Sequence, residues 1–210
     1  MLAGPTPEVA TRLLGARLIR DDGPGTEARI VRIVEVEAYV GTDDQASHAR
    51  FGRTARNAVM FGPPGVAYVY LVYGMYHCLN VVTEPEGRAA AILIRAAEPV
   101  SGLGAMRHAR LAGEPRGRVA ATAISDRRLA SGPGVLCRAM SITRLDTGRD
   151  LLDPSSPLRL ELADAALPAE RVATGPRVGI DYAPEPWRSI AWRFADAASP
   201  SLSRPVPPRA

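Results

Sequence analysis

The chain has 210 residues, enough to bury roughly 70% of the surface its unfolded form would expose, so neither a metal nor a disulfide is needed to hold it together. All 26 basic residues are arginine against 22 acidic ones, giving a net charge of +4 and a pI near 9.5; this suits phosphate contacts and excludes any lysine Schiff base. No long apolar run and no signal-like start occur, which predicts an unsecreted, cytoplasmic protein with no membrane span.

Thr6-Pro7-Glu8, then Val9, Ala10, Leu13 and Leu14, and Gly15 beyond, predict a short packing helix with Thr6 as N-cap and Pro7 at N1. Residues 16 to 20 read as a short strand, and Asp21-Asp22-Gly23-Pro24-Gly25 as the turn into a long one from Arg29 to Val40. Its alternation predicts Val34, Val36, Ala38 and Val40 facing a core, with Glu35, Glu37 and Tyr39 on the other face. A carboxylate then lies about 7 Å from a ring along one surface. Glu35 has two open roles, tuning Glu37 as a like charge or pairing with an arginine.

Residues 41 to 65 are polar and turn-rich, carrying His48, Arg50, Arg53 and Arg56 before Gly62-Pro63-Pro64-Gly65. Singly these are a solvated loop and a structural histidine; as a cluster beside an acidic strand, the arginines suit a phosphate backbone. Five of the six tyrosines lie between positions 39 and 76. Tyr68 and Tyr70 share a strand face, and Tyr73-Gly74-Met75-Tyr76 sits where that strand should turn. Two readings stand side by side: a tyrosine-rich sheet interior, or exposed rings on which bases stack.

Ala89 to Ala97 reads as a buried strand whose Arg95 needs a carboxylate on a neighbouring strand, Glu37 being one candidate. Residues 103 to 130 read as helical with a basic flank of Arg107, Arg110, Arg116, Arg118, Arg127 and Arg128, and Ser131-Gly132-Pro133 opens a helix through Met140. Further strands are expected at Leu158 to Leu162, Arg177 to Ile180 and Trp187 to Phe194. Cys78 and Cys137 read as small buried hydrophobes rather than a disulfide. Residues 1–195 then form a single domain, and the proline-rich 196–210 a flexible tail.

No Cys-x-x-Cys, His-Glu-x-x-His, G-x-G-x-x-G, Walker loop or Gly-x-Ser-x-Gly occurs, which leaves a site of carboxylate, arginine, asparagine and aromatic groups without metal or other cofactor. Glu37-Ala38-Tyr39, His48 eleven residues after the glutamate, Arg56-Asn57, Met60-Phe61, the run from Tyr70 to Tyr76, Asn80 and Arg95-Ala96 together resemble the alkyladenine (3-methyladenine) DNA glycosylase family. The match continues through Met106-Arg107, Asp126-Arg127, Leu129 to Pro133 and Arg177-Val178-Gly179.

The resemblance implies an α+β fold, a single mixed domain with a curved, mostly antiparallel β-sheet core surrounded by helices. It implies Glu37 as the general base that activates water, with Arg95 and the backbone carbonyl of Val178 holding that water. Tyr39, His48 and Tyr70 would form the pocket for a flipped base, and Asn80 would oppose the exocyclic amine of normal guanine. Tyr73 would enter the duplex, with Met75 and Tyr76 beside it and Arg53 and Arg56 also on the DNA. The implied partner is double-stranded DNA containing damaged purines, bound by a monomer at the nucleoid. A non-catalytic binder of damaged or single-stranded nucleic acid is the rival reading, and a hydrolase of free nucleosides ranks third. Glu37 separates the first two, because a binder gains nothing from a buried carboxylate beside an anionic ligand.

Overall fold

The long strand expected from Arg29 to Val40 forms over that span (β2) in the computed structural model, which describes residues 2–112 and 124–206. It pairs antiparallel with three others: β1 (Arg17–Arg20) and β5 (Ala90–Ser101) flank it, and β8 (Arg193–Asp196) joins from Glu35 to Glu37. The remaining strands are β3 (Ala67–Val72), β4 (Tyr76–Val82), β6 (Leu158–Glu161) and β7 (Val172–Gly175). Their order is β3-β4-β5-β2-β1-β6, with β7 reaching the sheet through β8. The sheet curls into an antiparallel half-barrel, and three helices among the described residues pack on it: α1 (Thr6–Leu13), α2 (Leu103–Ala112) and α3 (Pro133–Ala139). The fold is a single mixed α+β domain, as expected. No helix among the described residues is long and apolar enough to cross a membrane.

The alternation along β2 is broken where the sequence predicts it to be regular. Ile33 pairs with Ala97, Glu35 with Ala96 and Val36 with Ile94, so Val34 on one strand and Arg95 on the other have no partner in this register. Each is the extra residue of a β-bulge, and a bulge moves the following side chains to the opposite face. The main core therefore takes Val31 and Ile33 before the irregularity and Val36 and Ala38 after it. On β5 it takes Ile92 and Ile94, then Ala97. This corrects the expected face: Val34 is buried but outside that core cluster, and Val40 is only half-buried. The two bulges leave Glu35, Glu37 and Arg95 together on the face opposite the core.

Several boundaries also differ. Thr6 is not the helix cap; Pro5 is, and the Thr6 hydroxyl instead donates to Glu84 Oε1 at 2.7 Å. The run from Arg177 to Ile180 is loop rather than strand, because the adjacent Val172–Gly175 takes the pairing with β8. Trp187 to Phe194 is mostly turn, with β8 starting only at Arg193. Of the helix expected over 103 to 130, Leu103–Ala112 forms, Asp126–Arg128 is a short 3-10 turn, and Arg116 and Arg118 lie outside the described residues. Residues 196–206, read as the start of a loose tail, pack on the sheet: Ser199 and Ser201 are buried and Ser203 bonds to Glu35. Cys78 and Cys137 are buried free thiols.

Candidate active site

Cross-strand register alone assembles most of the site. Tyr68 pairs with Asn80, Asn80 with Leu93, Leu93 with Glu37 and Glu37 with Arg193, a row of five residues across β3, β4, β5, β2 and β8. In the adjoining rows Tyr70 opposes Cys78, and Tyr39 opposes Ala91. All of these but Glu37 and Arg193 line a cavity of about 480 Å³, whose other walls include His48, Met60 and the loop from Val178 to Ile180.

Glu37 is fully buried and contributes no surface to the cavity, but all three of its hydrogen-bond donors do. The Tyr39 hydroxyl donates to Oε2 at 3.0 Å, Arg95 Nη1 to Oε2 at 3.3 Å, and the Val178 backbone N–H to Oε1 at 2.7 Å. A carboxylate offers about four lone-pair positions. Three are used, and the fourth is on Oε1, beside Val178. The contact with Val178 is through its amide, whereas the resemblance implied a role for its carbonyl. Burial raises the Glu37 pKa above the ordinary carboxylate value despite the opposing pull of Arg95, Val178 and Tyr39.

The aromatic wall is braced from behind. His48 Nδ1 lies 3.0 Å from the Tyr68 hydroxyl, and its ring meets Tyr70 edge-on with centroids 4.4 Å apart. Burial, and then Arg56 and Arg50, lower the His48 pKa to about 4, so the imidazole is neutral at physiological pH. Arg177 stacks over Tyr39 at 4.6 Å and over Trp192 at 5.2 Å, held in turn by both Asp44 carboxylate oxygens. The Asn80 amide nitrogen donates to the Tyr68 and Cys78 carbonyls, which leaves its oxygen uncommitted among the described residues.

At the edge of the sheet, Tyr73 and Gly74 form a tight turn closed by the Met75 N–H on the Val72 carbonyl at 3.1 Å. Both have positive φ, 52° and 68°, which costs nothing for glycine and is uncommon for tyrosine. The Tyr73 side chain is 86% exposed and Met75 65%. Tyr76 is partly buried instead, packed against the start of α3 at Gly134, where a Cβ would lie 2.8 Å from the ring. Arg53 and Arg56 are both exposed, over Phe61 and Tyr70 respectively. Thus the tyrosines divide between the two open readings: Tyr68 is buried and lines the cavity from the core side, Tyr39 and Tyr70 wall it, and Tyr73 projects.

The site also contains residues that reading the sequence did not find. Tyr182 lines the cavity, anchored by its hydroxyl to the Ala46 carbonyl, while Arg50 stacks on its ring. Arg193 and Ser203 converge on Glu35, which therefore pairs with arginine and also adds a small like-charge repulsion to Glu37. None of the three has a local signal, since each is isolated in the C-terminal part of the chain.

Comparison with known proteins agrees with this geometry. The family described as methylpurine-DNA glycosylase matches residues 1–200. A protein of Anaeromyxobacter dehalogenans (strain 2CP-C) is 49% identical over 98% of this chain and 85% of its own length. One from Methanocella arvoryzae is 48% identical over 97% and 93%, and one from Bacillus cereus 43% over 96% and 95%. All three are provisionally named 3-methyladenine DNA glycosylases. With a match of this extent, the chain belongs to the methylpurine-DNA glycosylase family and is a DNA glycosylase, a hydrolase that removes alkylated bases from DNA.

Proposed function

We propose that this glycosylase flips a damaged purine, alkylated or deaminated, out of duplex DNA and hydrolyses its N-glycosidic bond with a water activated by Glu37. The observation that carries the reading is the buried Glu37 carboxylate, with every hydrogen-bond donor it has on the wall of an aromatic cavity. A base within the stack cannot be reached at C1′, so it must be extruded at a cost of a few kcal/mol, least for a damaged or mispaired base. Tyr73, held out on a tight turn, would offset that cost by filling the gap.

Inside the cavity, the flipped purine would stack among Tyr39, His48 and Tyr70. A purine alkylated at N3 or N7 carries positive charge, so for such lesions the rings would add a cation–π gain of roughly 0.5 to 2 kcal/mol. A neutral His48 suits that charge, whereas an imidazolium would repel it. Asn80, with its oxygen uncommitted among the described residues, would be the polar group that discriminates among purine edges. As the bond breaks, the sugar becomes oxocarbenium-like; the Glu37 carboxylate would stabilise it and take the proton of the attacking water. Its raised pKa makes it a stronger base than an exposed glutamate. With no lysine in the chain, the product would be an intact abasic strand.

The test is single-turnover base release from duplexes that each carry one 7-methylguanine, hypoxanthine or ethenoadenine, comparing wild type with Glu37→Gln at matched DNA affinity. Release by the wild type with an intact strand, and a loss of about 10²- to 10⁴-fold in the variant, supports the assignment. Binding by both proteins with no release from any lesion would show a lesion binder instead.

A further inference from the structure

Residues 197 to 206 have no part in the mechanism above, yet they reach its charged face. The Ser203 backbone N–H donates to Glu35 Oε2 at 2.6 Å and its hydroxyl donates to Glu35 Oε1 at 2.7 Å. The same hydroxyl accepts from Arg95 Nη2 at 3.1 Å and Nε at 3.3 Å. Arg95 Nε also donates to Glu35 Oε1 at 2.9 Å, and its Nη1 to Glu37 Oε2 at 3.3 Å. A guanidinium is a planar fork with fixed donor directions. With Nε on Glu35 and Nη2 on Ser203, the orientation of the plane is set, and Nη1 is the corner left for Glu37.

The segment that brings Ser203 there is itself fastened at several points. Arg193, whose Nε shares Glu35 Oε1 at 2.8 Å, donates from Nη2 to the Arg204 carbonyl at 2.6 Å and from Nη1 to that of Pro205 at 3.3 Å. Ser131 Oγ donates to the Leu202 carbonyl at 2.9 Å, and Ser199 Oγ to Glu98 Oε1 at 2.6 Å. Packing alone would be satisfied by any small residue at position 203. A hydroxyl that donates to one partner of an ion pair while accepting from the other is a more specific arrangement.

We propose that Ser203 is a positioning residue of the active site: by bridging Glu35 and Arg95 it holds the Arg95 guanidinium in the plane that keeps Nη1 on Glu37. The C-terminal segment thereby becomes a working part of the glycosylase. This rests on the reading of Glu37 as the base. The groups that bear on Glu37 are Arg95, the Val178 N–H, the Tyr39 hydroxyl and, behind them, Glu35. Loosening Arg95 removes the strongest of the influences that favour the ionised carboxylate.

The experiment compares wild type, Ser203→Ala and Ser203→Thr in the full chain, by single-turnover release of methylpurines from methylated duplex DNA as a function of pH. Lesion-DNA affinity and thermal midpoint are measured in parallel. Expected for Ser203→Ala is a rate about tenfold to a hundredfold lower, with binding unchanged and the midpoint lowered by only about 2–4 °C. Its acid limb should move to higher pH, and Ser203→Thr should restore both rate and limb toward wild type. A wild-type rate and limb in Ser203→Ala overturns the inference. So does a slower variant whose limb is unmoved and which threonine does not rescue, since that is a purely structural effect. If the wild type itself releases no base, the reading of Glu37 falls together with the inference, and the two failures are told apart.

Discussion

The floor of the cavity and the tip of the β3–β4 turn are built on opposite plans. Glu37 and Arg95 are buried and bonded at nearly every polar atom, and Arg95 is itself the extra residue of a β-bulge. Tyr73 is exposed, makes no hydrogen bond or ring contact among the described residues, and holds a positive φ that its side chain does not favour. Under the proposed function, the contrast follows from what each must meet. Transition-state charge is stabilised only by groups already in place, whereas a ring that fills a gap in a duplex has its partners supplied by the DNA. Stability and function therefore overlap at the floor and separate at the tip.

Arg95→Met should show the largest combined effect. It leaves Glu35 and Glu37 buried with one fewer counter-charge, so chemical denaturation should report a loss of roughly 3–5 kcal/mol. Single-turnover base release should fall by about a hundredfold, because the guanidinium also orients Glu37. A variant that kept full activity would break the claim that the floor must be pre-set. At the tip, Tyr73→Ala should leave denaturation midpoints within about 0.5 kcal/mol of wild type. Excision from a duplex should nevertheless slow by about tenfold, the equivalent of roughly 1.4 kcal/mol, and the difference should vanish when the lesion is in a single strand that needs no extrusion. An equal loss on both substrates would place Tyr73 in the chemistry rather than in the opening of the stack.

The same contrast governs how much was legible in the sequence. The tip was readable because its signal is local: a tyrosine beside a glycine at the end of an alternating run marks a turn without reference to anything distant. The span of β2 was readable for the same reason. Its facing was not, because the bulges at Val34 and Arg95 belong to the pairing of two strands sixty residues apart, and each strand alone looks regular. The likeness to a known family pointed to Glu37, Tyr39, His48, Tyr70, Asn80 and Arg95; the structure brings five of the six to one cavity and Glu37 directly behind it, bonded to Arg95. It gave no hint of Tyr182 or Ser203, which are singletons in loop-rich sequence. Composition also misdirected: prolines after residue 195 suggested a loose end, yet Ser203 is bonded twice to the buried Glu35 carboxylate.

The smallest predicted effect is on pH dependence, and it bears on the floor alone. As the proposed base, Glu37 must be ionised, and burial holds its pKa above the ordinary glutamate value of 4.5. The acid limb of single-turnover release should therefore lie above pH 4.5, with the rate falling tenfold per unit below it. The His48 pKa is lowered to about 4, so Glu37 should dominate the upper part of the limb. For stability the signs oppose. The raised Glu37 pKa means that the folded state holds its proton longer than the unfolded one, so this group favours folding below pH 4.5 and loses that contribution as pH rises through the folded value. The lowered His48 pKa means that the unfolded state binds the proton first, so stability is lost as pH falls from 6.5 toward about 4. In Glu37→Gln the His48 effect should persist and the activity limb should disappear. A limb of residual activity at unchanged pH in that variant would assign the titration to another group and break the link between burial and basicity on which the floor's plan depends.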